Sequence, residues 1–536
     1  MTSHISALHH IVDRSLILVW ILASSIGTIA ATLFYSSANA SLLACEDSPW
    51  LASDAVEYGA ALDCFNSRTE PGIYTISVTQ NISLTQWVDT VANNSGNGIK
   101  LLIEGNDLVI DGQSLLHIQL LRVSAGTFVT VQNVTFTGGD SPQGGAVDNH
   151  GTLSVISGTF HNNDTYFGGG IANSGHLTVT DSIFYDNTAN YGGALYNEGT
   201  MSVVASTFLE NDGNRYGGAI DNDGTLSIRD SSFTENYSPF HGGAIANKII
   251  MTVYNSSFID NFGYYGGAIF NEGSANISST LFSLNASDYG GGINSRSGQV
   301  SVLSSTFHNN EGYEIGGAIA SYAALNVQDS YFYSNHSYGS GGALYNDGVL
   351  TFTNSTVRDS SALYGGGIAS YGPATISNST LSGNGAAEYG GAIDNDGPVT
   401  VDSLTIYESY SPNGGGIHNS GVFTISNSIV ANSLGGTDCE NSNGGTLIDG
   451  GHNIVEDSSC NIAGGSDPLL GPLGDNGGPT PTHALLSGSP AIDNGYSPAL
   501  TDQRGVPRPQ GIASDIGAFE LQQSGSRLFL PIVVKR

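Results

Sequence analysis

The stretch Gly192-Gly193-Ala194-Leu195-Tyr196-Asn197-Glu198-Gly199-Thr200-Met201-Ser202-Val203-Val204-Ala205-Ser206-Thr207-Phe208 decides the fold. Apolar and polar residues alternate in short runs along it, and glycine and asparagine separate the runs. A period of two indicates β-strands, and the separators indicate tight turns. No run is long enough for a helix, so the stretch predicts an all-β unit of about three short strands.

This unit repeats along the chain with a mean period of about 24.5 residues. Its Gly-Gly-[Ala/Gly]-[Ile/Leu/Val] step starts at Gly144, Gly168, Gly192, Gly217, Gly242, Gly266, Gly290, Gly316, Gly341, Gly365, Gly390 and Gly414. A four-stranded propeller blade needs about 40 residues, so the period fits one coil of a parallel β-helix instead. We predict a right-handed parallel β-helix solenoid of about 16 coils over residues 73–461.

Residues in register from coil to coil should stack on one another, since neighbouring strands lie about 4.8 Å apart. An apolar column is expected inside, at Phe160, Phe184, Phe208, Phe233, Phe258, Phe282, Phe307, Phe332, Val357, Leu381 and Ile406. A ladder of side-chain amides is expected at Asn149, Asn173, Asn197, Asn222, Asn247, Asn271, Asn346, Asn395 and Asn419. We interpret these asparagines as structural.

The composition excludes two classes of protein, nucleic-acid-binding proteins and disordered acidic chains. Acidic residues outnumber basic ones 47 to 14, which gives a formal net charge of −33. Such a chain repels phosphate backbones, so no nucleic acid is expected as a partner. An apolar content of 39% is too high for a disordered acidic chain.

The repeats and the C-terminal region each resemble a known group of proteins. Gly-Gly-Ala-Ile-x-Asn with Phe-x-x-Asn, as in Phe184-Tyr185-Asp186-Asn187, resembles the repeats of polymorphic outer membrane proteins. Asp467-Pro468-Leu469-Leu470-Gly471-Pro472, Asp475-Asn476-Gly477-Gly478-Pro479 and Asp515-Ile516-Gly517-Ala518-Phe519-Glu520 resemble the choice-of-anchor Q domain of exported bacterial proteins. The resemblances imply a secreted β-helix with a Q-like domain over residues 462–520, and leave 521–536 as a linker and short tail.

The N-terminus predicts export. Residues 1–40 read as a signal peptide, with Arg14 before an apolar run and Ser37-Ala38-Asn39-Ala40 as the cleavage region. The run is also long enough to serve as an uncleaved anchor. No span is expected in the mature chain, and residues 41–72 are expected to cap the solenoid.

Four cysteines lie near the two ends of the repeat region. In an oxidising compartment we expect Cys45 to pair with Cys64 and Cys439 with Cys460. A metal site is the alternative, but the spacings lack a C-x-x-C motif, and no metal or other cofactor is predicted. Acidic turns could still bind Ca²⁺ weakly.

Two carboxylate pairs are the candidate catalytic groups: Asp221 with Asp223, and Asp394 with Asp396. On one strand face, carboxylates two residues apart lie about 7 Å from each other, a separation that inverting glycosidases use. Asp223 and Asp396 also occupy the middle of an Asn-x-Gly turn, where a purely structural role suffices. No cationic cleft for a polysaccharide lyase is evident, so an enzyme is the less favoured interpretation.

Tyr196, Phe270 and Tyr345 occupy one position of the repeat and are expected to point outward. Aromatic rings there could receive sugar rings or simply stabilise coil stacking. We therefore predict an exported cell-surface β-helix protein with a structural or adhesive role, in contact with polysaccharide or with a host or neighbouring cell surface. A polysaccharide lyase or glycoside hydrolase and a non-catalytic carbohydrate-binding protein are the alternatives.

Overall fold

The computed structural model describes residues 45, 48–93, 98–442, 444–462 and 465–522. The chain forms an all-β parallel solenoid of about 16 turns, as the repeat period predicts. Three long sheets run along it, with 29, 14 and 12 strands, which we call sheets A, B and C. Strands of successive coils pair in parallel within each sheet.

One coil shows the arrangement. It starts with the sheet-B strand Leu195–Asn197 and continues with two sheet-A strands, Thr200–Val204 and Thr207–Leu209. The sheet-C strand Asp212–Tyr216 follows, and a glycine pair then leads into the next sheet-B strand. Gly217, the first of that pair, has φ 60°, and a Cβ there would collide with the Ile220 carbonyl oxygen. The repeated glycine is thus a backbone requirement.

Sheet B positions the candidate site and is built from three-residue strands. They are Leu121–Val123, Val147–Asn149, Ile171–Asn173, Leu195–Asn197, Ile220–Asn222, Ile245–Asn247, Ile269–Asn271, Ile293–Ser295, Ile319–Ser321, Leu344–Asn346, Ile368–Ser370, Ile393–Asn395, Ile417–Asn419 and Cys439–Asn441. Sheet C comprises Asp164–Phe167, Thr188–Tyr191, Asp212–Tyr216, Tyr237–His241, Phe262–Tyr265, Ala286–Tyr289, Glu311–Ile315, His336–Ser337, Ser361–Tyr364, Gly385–Tyr389, Tyr410–Ser411 and Leu434–Gly435.

Sheet A usually receives two strands from each coil. Its longer members, in which the two strands merge, are Ile99–Asp111, Phe128–Thr137, Ala374–Ser382 and Pro398–Tyr407. Its strands carry the main core, where phenylalanine rings stack from Phe136 to Phe332. Phe208 is fully buried between Phe184 and Phe233, with ring centroids 5.0 and 4.7 Å away. The apolar column therefore lies inside, as predicted.

Two asparagine ladders run through the solenoid. In the first, Asn149 Nδ2 donates to Asn173 Oδ1 at 2.6 Å, and Asn173 Nδ2 to Asn197 Oδ1 at 2.7 Å. The second comes from the Phe-x-x-Asn part of the repeat, where Asn211 Nδ2 donates to Asn236 Oδ1 at 3.0 Å. Its other members are Asn163, Asn187, Asn261, Asn285, Asn310 and Asn335. Both ladders satisfy buried polar groups at the corners of the coils.

A small cap closes the N-terminal end. The strand Trp50–Ala52 pairs in parallel with Gly72–Val78, and the helix Ala55–Asn66 lies between them in the chain. The helix buries Tyr58, Leu62 and Phe65 in the main core. It covers the first coil, which has no preceding coil to cover it.

Both predicted disulfides are confirmed. Cys45 joins Cys64 with a Cα–Cα distance of 5.2 Å, and Cys439 joins Cys460 at 5.5 Å. The second bridge fixes the last sheet-B strand to the 3-10 turn Ser459–Asn461. The two bridges staple opposite ends of the repeat region, where stacking neighbours are missing.

The C-terminal region folds back along the solenoid and does not extend beyond it as a separate domain. Its antiparallel strands Leu470–Gly474 and Thr482–Leu485 are followed by irregular chain to residue 522. Gln503 accepts a hydrogen bond from Thr380 at 2.6 Å and donates one to Thr356 at 2.8 Å, which joins it to two successive coils. The described part of the region, up to residue 522, covers the outer face of sheet A in the later coils.

Candidate functional site

The outer surface of sheet B forms a groove along the solenoid. The central residue of each three-residue strand lies between two inward-facing residues, and alternation points its side chain outward. These residues, which we call the floor row, are Arg122, Asp148, Ala172, Tyr196, Asp221, Ala246, Phe270, Asn294, Ala320, Tyr345, Ala369, Asp394, His418 and Glu440.

Two walls flank the floor row. One wall, the aromatic column, stands directly before six successive Gly-Gly steps. It comprises Phe167, Tyr191, Tyr216, His241, Tyr265 and Tyr289, with ring centroids 4.4–5.7 Å apart. The other wall, the turn row, lies two residues after the floor row. It comprises His150, Ser174, Glu198, Asp223, Lys248, Glu272, Arg296, Tyr322, Asp347, Tyr371, Asp396, Ser420 and Ser442. We call the whole surface the sheet-B groove.

The N-terminal end of the groove opens into a cavity of about 570 Å³. Trp87 and Tyr166 line it with side chains that are 67% and 46% exposed. Arg122 also lines it, and its Nε lies 3.2 Å from Asp148. A second pocket of about 250 Å³ shares Asp148 and continues toward Tyr196. The two pockets combine open aromatic faces with polar groups over several coils.

Asp148 anchors a polar chain at the boundary of these pockets. His150 Nε2 lies 3.1 Å from Asp148 Oδ2, and His150 Nδ1 lies 2.6 Å from Ser174 Oγ. Burial raises the pKa of Asp148, while His150 and Arg122 lower it in part. His150 itself is about one-third exposed.

A lysine from the next coil bridges the predicted pair Asp221 and Asp223. Lys248 Nζ lies 3.0 Å from Asp221 Oδ2 and 2.9 Å from Asp223 Oδ1. Its ammonium also stands 4.3 Å from the ring centre of Tyr216, across the groove. Burial raises the pKa of the fully buried Asp221 to about 7, although Lys248 opposes the rise. The pair is therefore an ion-pair cluster that closes the groove floor.

The predicted pair Asp394 and Asp396 has two different sets of partners. Asp396 accepts a hydrogen bond from Ser420, and burial together with the Asp394 charge raises its pKa. Asp394 Oδ1 lies 2.7 Å from His418 Nδ1, and His418 Nε2 lies 2.6 Å from Ser442 Oγ. The carboxylates are directed to separate partners and do not face one reacting atom.

The predicted aromatic residues differ in exposure. Tyr196 is 9% exposed, and its hydroxyl donates to Glu198 at 3.0 Å and to Asp223 at 3.2 Å. Phe270 is fully buried beside His241, with ring centroids 4.6 Å apart, so it offers no face to a ligand. Tyr345 is half-buried. Open rings at the N-terminal end of the groove belong to Trp87 and Tyr166, which lack the repeat signature.

Within the described part of the chain, no group of three or more histidine, cysteine, aspartate or glutamate side chains could hold a metal ion. Over the same residues, no helix is both long and apolar enough to cross a membrane.

Comparison with known proteins addresses the repeats. Residues 181–198 and 329–347 match the Chlamydia polymorphic membrane protein repeat. Each match contains the end of one sheet-A pairing and the following Gly-Gly step, so the motif coincides with the coil period. No curated protein matches the chain. The repeat matches and the parallel solenoid fit a surface-exposed bacterial protein, and the disulfides fit an exported one.

Proposed function

We propose that the protein is an adhesive cell-surface solenoid of a bacterium and that its sheet-B groove binds an extended polysaccharide. The observation that carries the proposal is the N-terminal cavity, where Trp87 and Tyr166 present open rings beside Arg122. Aromatic faces with a few hydrogen-bonding groups are suited to pyranose rings. The cavity continues into the second pocket, so the surface suits a chain better than a single sugar.

Charge selects the ligand class. The net charge of −33 disfavours a highly anionic polymer, and Arg122, which lines the cavity, is held by Asp148. We therefore propose a neutral or sparsely charged polysaccharide. The glycoside hydrolase alternative loses its support at Asp221 and Asp223, because both carboxylates form ion pairs with the same Lys248 ammonium.

A glycan array followed by calorimetric titration of the best ligand tests the proposal. Trp87→Ala and Tyr166→Ala should each weaken binding about tenfold, which corresponds to about 1.4 kcal/mol. Tyr254→Ala is the matched control, because Tyr254 is 51% exposed on sheet A, away from the groove. Unchanged affinity in both groove variants, or an equal loss in the control, would refute the proposed site.

A further inference from the structure

Asp394, His418 and Ser442 form a hydrogen-bonded chain across three successive coils at the C-terminal end of the groove. Asp394 and His418 are in-register neighbours on the floor row, and Ser442 lies on the turn row of the next coil. The imidazole spans the gap, with Nδ1 2.7 Å from Asp394 Oδ1 and Nε2 2.6 Å from Ser442 Oγ. Three coils thus each supply one member.

The surroundings fix the imidazole. The side chains of Asp394 and His418 are only 8% and 4% exposed, and Tyr389 stacks on His418 with ring centroids 4.6 Å apart. The Asp394 carboxylate can accept a hydrogen bond but cannot donate one, so Nδ1 of His418 carries the proton. The unprotonated Nε2 then accepts a hydrogen bond from the Ser442 hydroxyl. Ser442 itself is half-buried and lies at the surface of the groove.

The same three residue types at the N-terminal end are arranged differently. There His150 uses Nε2 toward Asp148 and Nδ1 toward Ser174, and its side chain is 35% exposed. In a Ser-His-Asp triad a buried carboxylate lies at Nδ1 and the serine at Nε2, roles that geometry and not sequence order defines. The C-terminal chain meets that requirement, and the N-terminal chain provides a natural control.

We propose that Ser442, His418 and Asp394 form a nucleophilic triad that hydrolyses carboxylic esters. Ser442 Oγ attacks the ester carbonyl carbon while its proton passes to His418 Nε2. The C–O bond to the alcohol then breaks, and His418 gives that proton to the leaving oxygen. Water then attacks the acyl carbon and gives a proton to His418 Nε2. The bond between that carbon and Ser442 Oγ breaks, His418 returns the proton to Ser442 Oγ, and the carboxylic acid is released.

The neighbouring charges define the acyl group. Asp396 lies on the turn row two coils before Ser442, and Glu440 is the in-register floor neighbour of His418. These two carboxylates at the C-terminal end of the groove disfavour an anionic acyl group or alcohol. The substrate class is therefore a small neutral ester, such as an acetyl group on a hydroxyl. This activity does not depend on glycan binding at the far end of the groove.

The test treats the purified full chain with a fluorophosphonate probe and maps the labelled serine by mass spectrometry. Label is expected at Ser442 and absent at Ser174. Hydrolysis of p-nitrophenyl acetate should fall at least a thousandfold in Ser442→Ala and in Asp394→Asn, the latter because the imidazole tautomer is lost. Ser227→Ala, at an exposed position of sheet A outside the groove, should keep the wild-type rate, and thermal unfolding of every variant checks that it is folded.

A wild-type protein that neither labels at Ser442 nor hydrolyses the ester overturns the proposal. Equal labelling of Ser174 and Ser442 also overturns it, because the buried Asp394–His418 arrangement would then not increase the reactivity of the serine. If the wild-type protein labels at Ser442 but binds no glycan on the array, only the proposed adhesive groove is contradicted. The two proposals can therefore fail separately.

Discussion

Phe208→Ala tests the stacked core that holds the coils together. The ring is fully buried and contacts Phe184 and Phe233, with centroids at 5.0 and 4.7 Å. Removal of its buried area costs about 2.5 kcal/mol at about 25 cal/mol per Å² for about 100 Å². Loss of two ring pairs and the remaining cavity bring the expected destabilisation to about 3–5 kcal/mol.

Native-state hydrogen exchange, read on the strand Thr207–Leu209, gives the free energy of local opening. Phe128→Ala is the control, because this phenylalanine is 43% exposed on sheet A, and it should cost less than about 1 kcal/mol. A loss below about 1.5 kcal/mol in Phe208→Ala would refute the argument that ring stacking stabilises the coils.

Three further predictions concern polar and covalent features. Asn236→Leu should destabilise the protein by about 2–4 kcal/mol in urea unfolding, because the Phe208 carbonyl and the Asn211 amide lose their partner; an unchanged midpoint would contradict a structural ladder. Cys460→Ser should cost about 2–3 kcal/mol and speed proteolysis near residue 441, with limited digestion as the assay; identical digestion patterns would oppose it. Burial and the Asp164 charge raise the pKa of Asp212 to about 6. The folded state therefore keeps a proton that the unfolded state loses, and wild-type stability should fall as the pH rises from about 4 to about 6. Asp212→Asn should remove that fall and be about 1–2 kcal/mol more stable at pH 7, as a thermal melt series can show; parallel curves would exclude the effect.

Sequence periodicity predicts the features that repeat. The glycine steps, the phenylalanine column and the Asn-x-Gly ladder recur with the coil, so stacking at about 4.8 Å follows from their spacing. The Phe-x-x-Asn ladder carries the same signal, although its structural role emerges only with the hydrogen bonds of residues such as Asn236.

Features that occur once lack such a signal. Gln503 contacts Thr356, which is 147 residues away, and no repeat announces that the C-terminal region folds back. Lys248 contacts Asp221 from the next coil. The two residues are 27 apart in the sequence, so no local motif predicts their ion pair. The link between Asp394 and His418 could have been found, because each directly precedes a ladder asparagine in adjacent coils. The helix Ala55–Asn66 belongs to the cap, where the coil pattern has not yet started.

The central claim is that the sheet-B groove is the ligand-binding face. Hydroxyl-radical footprinting of the protein with its best polysaccharide from the array tests it directly, because aromatic side chains on different faces are read in one experiment. We predict protection of Trp87 and Tyr166 in the groove and unchanged oxidation of Tyr254 on sheet A. Protection confined to Tyr254, or to Tyr237 on sheet C, would contradict the claim.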